Sequence, residues 1–351
     1  MTTVPPENPS SRTPPQRATM RQVAALAGVG LKTVSRVING ESYVSEETKR
    51  KVDAAAAQLN YLPNLQAGNL SRSDRKTRTL GLLVGSVANP FSGAIHRAVE
   101  DLATEHGTSV FASSLDDDPT RERRIVDTFV RRRVDGLILS AVARSQAYLL
   151  PEIERGTPVA FVDREPVGVD ADTVVCDNSE GAGLATAHLL RHGHRRIAFL
   201  GDRTEIWTER ERRRGFLEAL GAAGVPTSAA TTVENLSDDD IAHAAVIRLM
   251  GQADAPTAIF SSQNLISIGV LRALRDLGLG RRVAVIGFDD FPLADLLDPA
   301  VTVVAQDPYR MGAIAAERIF ARLDGDDSPP ARHVVRTRLI ERGSGEIRAH
   351  G

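Results

Sequence analysis

Residues able to bind a small polar molecule follow several apolar runs of this sequence, at the point where each run ends. They supply carboxylates, amides, guanidinium groups and one aromatic ring, and they are Asn89, Phe91, Asp163, Arg164, Arg212, Gln263, Asn264, Asp289 and Gln306. Such groups can bind the hydroxyl groups of a sugar through paired hydrogen bonds. Any single Asp or Asn at such a point could instead cap the following helix. The repetition of the pattern favours a ligand site built from several elements.

The apolar runs that precede these residues are rich in Val, Ile and Leu and alternate with helical patterns. One series spans residues 80–163 and a second spans 173–288. Nearly continuous apolar strands between helices are typical of a parallel sheet covered on both faces. The sequence therefore predicts an α/β fold with two doubly wound lobes, whose ligands bind beyond the carboxyl ends of the strands. Three later segments, at 301–306, 310–323 and 333–339, could complete either lobe.

A different pattern occupies the N-terminal part of the chain. Thr19 and Gln22 have the spacing of a capping box, and Gly28 is placed to end the helix that follows. A second short helix over 31–38 turns Val34 and Val37 inward. Two short helices joined by a glycine-containing turn predict a helix-turn-helix, whose second helix fits a DNA major groove. The outward residues on that helix that we expect to read bases are Leu31, Lys32 and Arg36.

The charge distribution agrees with a DNA-reading module on an acidic body. Residues 1–78 hold 12 Lys and Arg against 6 Asp and Glu, so this part carries +6 and the remainder carries −8 within a net charge of −2. Cys176 is the only cysteine, which excludes an intramolecular disulfide and fits a reducing cytoplasm. No apolar run approaches the roughly 20 residues of a membrane span, and residues 1–17 do not form a signal peptide.

Five N-terminal stretches resemble the headpiece of the LacI/GalR family of transcriptional repressors. They are Val23–Ala24, Ala27–Val29, Thr33–Gly40, Val44–Thr48 and Asn60–Asn64. Further stretches of the family pattern are Phe161–Arg164, Val175–Asn178, Gly193–Ile197, Arg210–Phe216 and Val285–Asp290. The resemblance implies that the chain crosses between the lobes three times, as in periplasmic sugar-binding proteins. It also implies effector contacts at Arg212, Asp289 and Gln306.

The resemblance extends the set of predicted DNA contacts beyond the recognition helix. The full set is Thr19, Leu31, Lys32, Thr33, Ser35, Arg36, Asn39, Tyr61, Asn64, Ala67 and Leu70. In the family, a hinge helix matching residues 64–71 lies in the minor groove, where a Leu matching Leu70 wedges between central base pairs. Gly68 weakens so short a helix. We therefore expect the hinge to fold only when two hinges meet on the operator.

These patterns predict five regions. They are a disordered tail at 1–17, a headpiece at 18–63, a hinge helix and linker at 64–77, a first lobe at 78–175 with 305–333, and a second lobe at 176–304 with 334–346. One departure from the family bears on the ligand. The family usually has Ala-Asn-Asp where this chain has Ser262-Gln263-Asn264, so the site exchanges a carboxylate for an amide and a standard sugar cannot be assigned.

Four other motifs carry weaker indications. His188, His192 and His194 are predicted to be hydrogen-bonded or solvated, because Arg residues surround them and no acidic residue is near in sequence. Asp116–Asp118 is predicted to be a solvated turn that starts a helix, since it lacks the Gly and terminal Glu of a calcium loop. Trp207 could pack in the usual way or stack on a sugar face. No metal or cofactor is expected, and the absence of a nucleophile elbow or catalytic set predicts a protein that is not an enzyme.

Together these inferences predict a cytoplasmic, sequence-specific transcriptional regulator that acts as a repressor. Its expected partners are a near-palindromic double-stranded operator, a small effector of carbohydrate type in the cleft between the lobes, and a second copy of the chain. A homodimer is expected, with a tetramer as the alternative. The competing interpretation is a solute-binding or sugar-sensing protein, or a sugar-processing enzyme, of the same fold without operator-specific repression. The N-terminal helices argue against it.

Overall fold

The structure, a computed structural model, describes residues 18–38, 43–62, 76–227 and 230–349. The chain divides into two compact units, residues 1–77 and 78–351. The predicted tail and hinge, and with them Asn39, Asn64, Ala67 and Leu70, lie outside the described residues.

The first unit contains three helices among its described residues: α1 (Met20–Ala27), α2 (Leu31–Ile38) and α3 (Glu46–Gln58). The predicted capping box is present, since the Thr19 side chain accepts from the Gln22 backbone and the Gln22 side chain accepts from the Thr19 backbone. Gly28 ends α1 at φ 67°, a left-handed conformation that only glycine adopts without a Cβ penalty. Val23, Val34 and Val52, one from each helix, lie at the centre of the buried core.

The second unit begins with a lobe built on a six-stranded sheet in the order β11-β5-β4-β3-β1-β2. Its strands are β1 (Thr79–Val84), β2 (Ser109–Ser114), β3 (Gly136–Leu139), β4 (Val159–Val162), β5 (Asp172–Cys176) and β11 (Arg332–Val335). All neighbours pair in parallel. The intervening helices are α4 (Pro90–Glu105), α5 (Pro119–Arg131) and the short α6 (Leu150–Glu154).

The second lobe has a matching six-stranded sheet in the order β12-β10-β9-β8-β6-β7. Its strands are β6 (Ile197–Leu200), β7 (Thr231–Val233), β8 (Ala258–Ser261), β9 (Ala284–Phe288), β10 (Thr302–Ala305) and β12 (Arg338–Ile340). Its helices are α7 (Asn178–Arg191), α8 (Trp207–Ala222), α9 (Asp239–Met250) and α10 (Asn264–Asp276). Only β12 is antiparallel to its neighbour. The doubly wound α/β prediction is confirmed.

The chain passes between the sheets at three places. It leaves the first sheet after β5, and returns after β10 through α11 (Pro308–Leu323), which packs against α4. It crosses again between β11 and β12. The segment 333–339 contains the end of β11 and the start of β12, two short strands in different sheets. β11 has four residues and β12 has three, so neither is long enough to show a clear strand pattern in the sequence.

Close packing of α7 on α8 fixes the second lobe's geometry. A Cβ on Gly215 would stand 2.0 Å from the Ser179 carbonyl oxygen, so the two backbones touch at a point where only glycine fits. This approach brings the start of α8, with Arg212, next to the start of α7 and Asn178. Sequence reasoning placed the beginning of that helix at residue 210, whereas it begins at Trp207.

Candidate ligand cleft and nucleic-acid interface

The carboxyl ends of the two sheets face one another across a cleft, and each contributes an aspartate in an unusual backbone conformation, Asp163 half-buried and Asp289 buried. Asp163 follows β4 with φ 72°, and Asp289 follows β9 with φ 70°. Left-handed conformations at non-glycine residues cost free energy and concentrate at functional sites. Each residue still donates its backbone N–H across the sheet, Asp163 to Val174 and Asp289 to Val304. The strained turn therefore aims both carboxylates into the cleft.

Arg212 is the cation at the centre of this cleft and is 5% exposed. Its Nε donates to Asn178 Oδ1 at 2.8 Å, and its Nη1 donates to the Ser262 carbonyl oxygen at 2.6 Å. The guanidinium lies 3.8 Å from the centre of the Phe288 ring and 3.6 Å from an Asp289 oxygen. These contacts leave the side chain with one orientation before any ligand arrives.

Asp289 is supported from behind by Gln306, whose Nε2 donates to Asp289 Oδ1 at 2.5 Å. Burial raises the pKa of Asp289, while Arg212 opposes the shift. Burial also raises the pKa of Asp163, against the influence of Arg164, Arg212 and a hydrogen bond from Ser140. Hydrogen bonds donated by a ligand would therefore stabilise the ionised form of both carboxylates.

Arg164 forms the other ion pair of the cleft. Its Nη1 donates to Asp117 Oδ1 at 2.7 Å, and its Nε lies 3.5 Å from Asp163 Oδ2. Asp117 belongs to the turn that was predicted to be solvated, and that prediction is wrong for this residue. Asp116 and Asp118 are exposed as expected, and Asp118 caps α5 by accepting from the Thr120 backbone N–H. The error arose because Asp117 meets Arg164 only when β2 and β4 are brought into one sheet.

Gln263 and Asn264, where the chain departs from its family's pattern, have protein partners. The Asn89 and Asn264 side chains hydrogen-bond reciprocally across the cleft, at 3.2 Å and 2.9 Å. Gln263 donates to Asp202 Oδ2 at 2.9 Å. Asn264 therefore joins the lobes, whereas Gln263 is backed by a carboxylate and retains its amide oxygen for a ligand.

These residues enclose a cavity of about 260 Å³. Seven of the nine predicted ligand residues line it: Asn89, Phe91, Asp163, Arg164, Arg212, Gln263 and Asp289. Asn264 and Gln306 do not line the cavity, but each donates a hydrogen bond to a residue that does. Asn264 donates to Asn89, and Gln306 donates to Asp289. Sequence reasoning missed Asp117, Asp202 and Arg203. Asp202 and Arg203 follow β6 directly, so the rule that found the other strand-end residues could have found them.

Glu209, one turn before Arg212 on α8, is a further buried acid beside the cleft. Burial raises its pKa to about 7, although hydrogen bonds from Ser262 and the Asp202 backbone act in the opposite direction. Its side chain occupies the space that a Cβ on Gly201 would take. Near neutral pH the neutral and ionised forms of Glu209 are therefore both populated next to Arg212.

The first unit presents the predicted recognition helix. Leu31, Lys32 and Arg36 lie on the exposed side of α2, with Leu31 45% exposed, while Thr33 and Ser35 are half-buried. Thr19 is engaged in the capping box and Tyr61 packs against the helical core. The cationic side chains thus stand on one face of a short helix held by a small apolar core, an arrangement suited to a DNA groove.

The surroundings of His188 differ from the prediction, whereas His194 is hydrogen-bonded as expected. His194 hydrogen-bonds to Thr257 and to the Ile347 carbonyl. His188 is buried, and the fold brings two acids to it: Nε2 lies 2.7 Å from Glu346 and Nδ1 lies 3.5 Å from Glu341. The expectation that no acidic residue is near His188 holds only along the sequence. Arg191 also contacts His188 Nδ1, so these side chains form a polar cluster that joins α7 to the C-terminal segment.

Among the described residues, no helix is long and apolar enough to cross a bilayer. Residues 19–64 match the family described as bacterial regulatory proteins, lacI family, and residues 186–345 match a periplasmic binding protein-like domain. The transcriptional regulator GalR of Salmonella typhimurium (strain SL1344) is 31% identical over 329 residues, covering 93% of this chain and 96% of GalR. The ribose operon repressor of Escherichia coli K12 is 32% identical over 330 residues, covering 93% and 99%.

Solved structures resemble this chain over nearly its whole length. The lac repressor dimer bound to operator and the anti-inducer ONPF superimposes with a TM-score of 0.82 at 26% identity, covering 94% of this chain and 99% of that one. The regulator CelR in complex with cellobiose gives 0.67 at 33% identity, covering 93% and 100%. With its helix-turn-helix and its two-lobed cleft in one chain, this protein belongs to the lacI family of bacterial regulatory proteins.

Proposed function

We propose that this protein is a transcriptional repressor of the bacterial cytoplasm whose operator binding is controlled by a sugar in the interlobe cavity. The observation that carries the proposal is the pre-positioned set of Arg212, Asp163 and Asp289 at the meeting of the two sheets. A fixed guanidinium between two carboxylates offers donors and acceptors in the alternating order that vicinal hydroxyls require. Relatives named for ribose repression and solved with cellobiose support a sugar as the ligand.

The DNA interface of the proposal is the exposed face of α2. Leu31, Lys32 and Arg36 would reach base edges, with Thr33 and Ser35 beside them, and Thr19 and Tyr61 would approach the phosphate backbone. Arg36 is the side chain suited to a guanine, because its fork matches the O6 and N7 acceptors. Asn39, Asn64, Ala67 and Leu70 complete the proposed interface from outside the described residues.

A homodimer would present two such helices to a near-palindrome. The second unit has an apolar patch suited to this, formed by Leu293, Leu296 and Leu297, which are 64%, 73% and 44% exposed. The patch borders a mainly apolar groove between α10 and the loop at 291–299. Exposed apolar clusters on a soluble protein mark interaction surfaces.

Control follows from the position of the ligand between the lobes. A sugar that bridges Asp163 in one lobe and Asp289 in the other favours one lobe arrangement. Operator DNA favours an arrangement through the segment that joins the two units. Because both ligands act on one equilibrium, their affinities are reciprocally coupled, typically by about 1–3 kcal/mol.

The test uses the full chain and DNA selected from a random pool by the protein itself. Bound duplex is titrated by fluorescence anisotropy, with and without sugars. Arg212→Ala and Asp289→Ala should retain operator affinity and lose the sugar response, because they sit in the cavity and not on α2. Arg214→Ala, an exposed position on the same helix paired with Glu211 and Glu218, is the matched control and should respond normally. Undiminished sugar affinity in both cavity variants, measured by calorimetry, would refute the site assignment.

A further inference from the structure

A second cavity lies between the lobes, directly beside the first. It encloses about 550 Å³, roughly twice the volume of the first at about 260 Å³. Asp117, Arg164, Arg203 and Ile206 line both. Small-molecule sites in proteins span about 300–1,000 Å³, so the first cavity alone is small for a ligand site and the two together are ample.

The first-lobe wall of this cavity is rigid. It includes residues 141–144, which follow β3, together with Pro119, Glu165 and Val167. Glu122, fully buried, accepts from the backbone N–H groups of Val142 and Ala143 at 2.5 Å and 3.0 Å, and from the Tyr148 hydroxyl at 2.6 Å. A buried carboxylate satisfied by three donors holds this loop in one conformation, so the wall exists before a ligand binds.

The facing wall is the start of α8. Ile206 and Trp207 supply apolar surface there, and Trp207 is the only tryptophan in the chain. Arg210, one turn further on, is fixed by donating to the Thr204 and Glu205 carbonyl oxygens. The walls therefore combine apolar area with charged groups at the edge.

Two of the arginines at this cavity have hydrogen-bonding capacity to spare. Within the ranges that the structure describes, the Arg203 side chain makes one hydrogen bond, from Nη1 across the cleft to the Asp117 carbonyl oxygen at 3.4 Å. Arg144 forms no hydrogen bond or ion pair with any residue in the described part of the chain. Arg203 lies on the boundary between the two cavities. A ligand that spans both cavities would therefore replace its weak hydrogen bond to Asp117.

We infer that this cavity is a subsite for a second ring of the effector, which is then a disaccharide or a glycoside rather than a free monosaccharide. The inference rests on the proposed function, because it takes the first ring to be bound at Arg212 and Asp289. A sugar ring has an apolar C–H face that stacks on an aromatic side chain and a rim of hydroxyls that accept from guanidinium groups. Trp207 supplies the aromatic face, and Arg144 and Arg203 supply the donors.

A single tryptophan gives a direct readout. The full-length protein is titrated with ribose, glucose and galactose, and with cellobiose, lactose, maltose and the phenyl glycosides of glucose and galactose. Binding is followed by calorimetry and by Trp207 fluorescence. We expect at least one two-ring compound to bind tenfold or more tightly than its parent monosaccharide and to change the Trp207 emission, while the monosaccharides leave the emission unchanged.

Two variants separate the subsite from the first cavity. Ala143→Phe fills the second cavity, and it should reduce two-ring affinity to that of the parent monosaccharide without altering monosaccharide binding. Leu184→Phe, at an exposed position on α7, is the matched control for adding a ring and should behave as the unmodified protein. Trp207→Ala should weaken the two-ring compound at least fivefold.

The inference is overturned if no two-ring compound binds more tightly than its parent, or if Ala143→Phe leaves the difference intact. Failure of the proposed function would look different. In that case the protein would select no specific DNA from a random pool, or Arg212→Ala would leave the binding of every sugar unchanged.

Discussion

At the scale of single residues, an amide at position 264, where the family usually has a carboxylate, changes what positions 263 and 264 do in the cleft. Asn264 carries an amide, which both donates and accepts, so it can form a reciprocal pair with Asn89. A carboxylate at that position could accept but could not donate in return. The chain thus uses position 264 to join the lobes, and Gln263, held by Asp202, is left to face the ligand. The effector preference of this protein should differ from that of relatives with the acidic residue.

Glu209 gives a residue-scale prediction about pH. Its ordinary pKa of 4.5 is raised by burial to about 7 in the folded protein. Between these values the unfolded chain has lost the proton and the folded chain retains it, so the free energy of unfolding falls as pH rises. At 1.36 kcal/mol per pH unit, the loss is about 3 kcal/mol by pH 8.

Glu209→Gln should remove that part of the pH dependence. Chemical denaturation at pH 5, 6, 7 and 8 should show a flatter profile for the variant, with its advantage over the unmodified protein greatest at pH 8. Below pH 4.5 both proteins carry a neutral side chain at this position and should be equally stable. Parallel profiles would show that Glu209 is ionised throughout or that its environment relaxes.

At the scale of elements, α2 is a short helix whose role depends on its neighbours. Eight residues do not form a stable helix alone, and α2 is held by Val34 and Val37 against the core shared with α1 and α3. The same packing leaves Arg36 on the exposed face. The helix is therefore already folded before its side chains enter a DNA groove.

Arg36→Ala should lower operator affinity by about 1–3 kcal/mol per half-site, because the variant would lose the proposed bidentate contact to guanine. Binding to random DNA should fall much less, since that term comes mainly from phosphate contacts. Arg50→Ala on α3, an exposed residue whose Nε donates to the Glu46 carbonyl, is a suitable comparison. Equal losses on operator and random duplexes would assign Arg36 to the phosphate backbone instead.

At the scale of the whole molecule, the proposed repression and its response to effector depend on two copies of the chain. A monomer reads one half-site, whereas a two-fold dimer joins two half-site free energies in one binding event. The apolar patch at 293–297 is the surface of the second unit that offers such an interface. The loop that carries the patch follows β9 and Asp289 in the chain, so the proposed dimer interface and the ligand site share one structural support.

Leu296→Glu should convert the dimer to a monomer, because it places a charge in the centre of the patch. Sedimentation equilibrium would show the change in mass, and the affinity for a two-half-site operator should fall by at least a hundredfold. Leu184→Glu on α7, at a position that is 46% exposed and does not line the groove bordered by the patch, should change neither quantity. A Leu296→Glu protein that sediments as a dimer would place the interface elsewhere.

The sequence by itself determined whatever depends on local patterns. Helical periodicity, the Thr19–Gln22 capping box and Gly28 defined the helix-turn-helix, and apolar runs ending in Asp163 and Asp289 located the binding edge. These signals are local because hydrogen-bonding period and turn conformation are properties of short segments. Only the tertiary structure decided what lies across the cleft. Asn89 and Asn264 are 175 residues apart, and Asp117 meets Arg164 only because β2 and β4 belong to one sheet. The first pair depends on how the two lobes close and the second on how strands assemble into one sheet, and no local pattern records either.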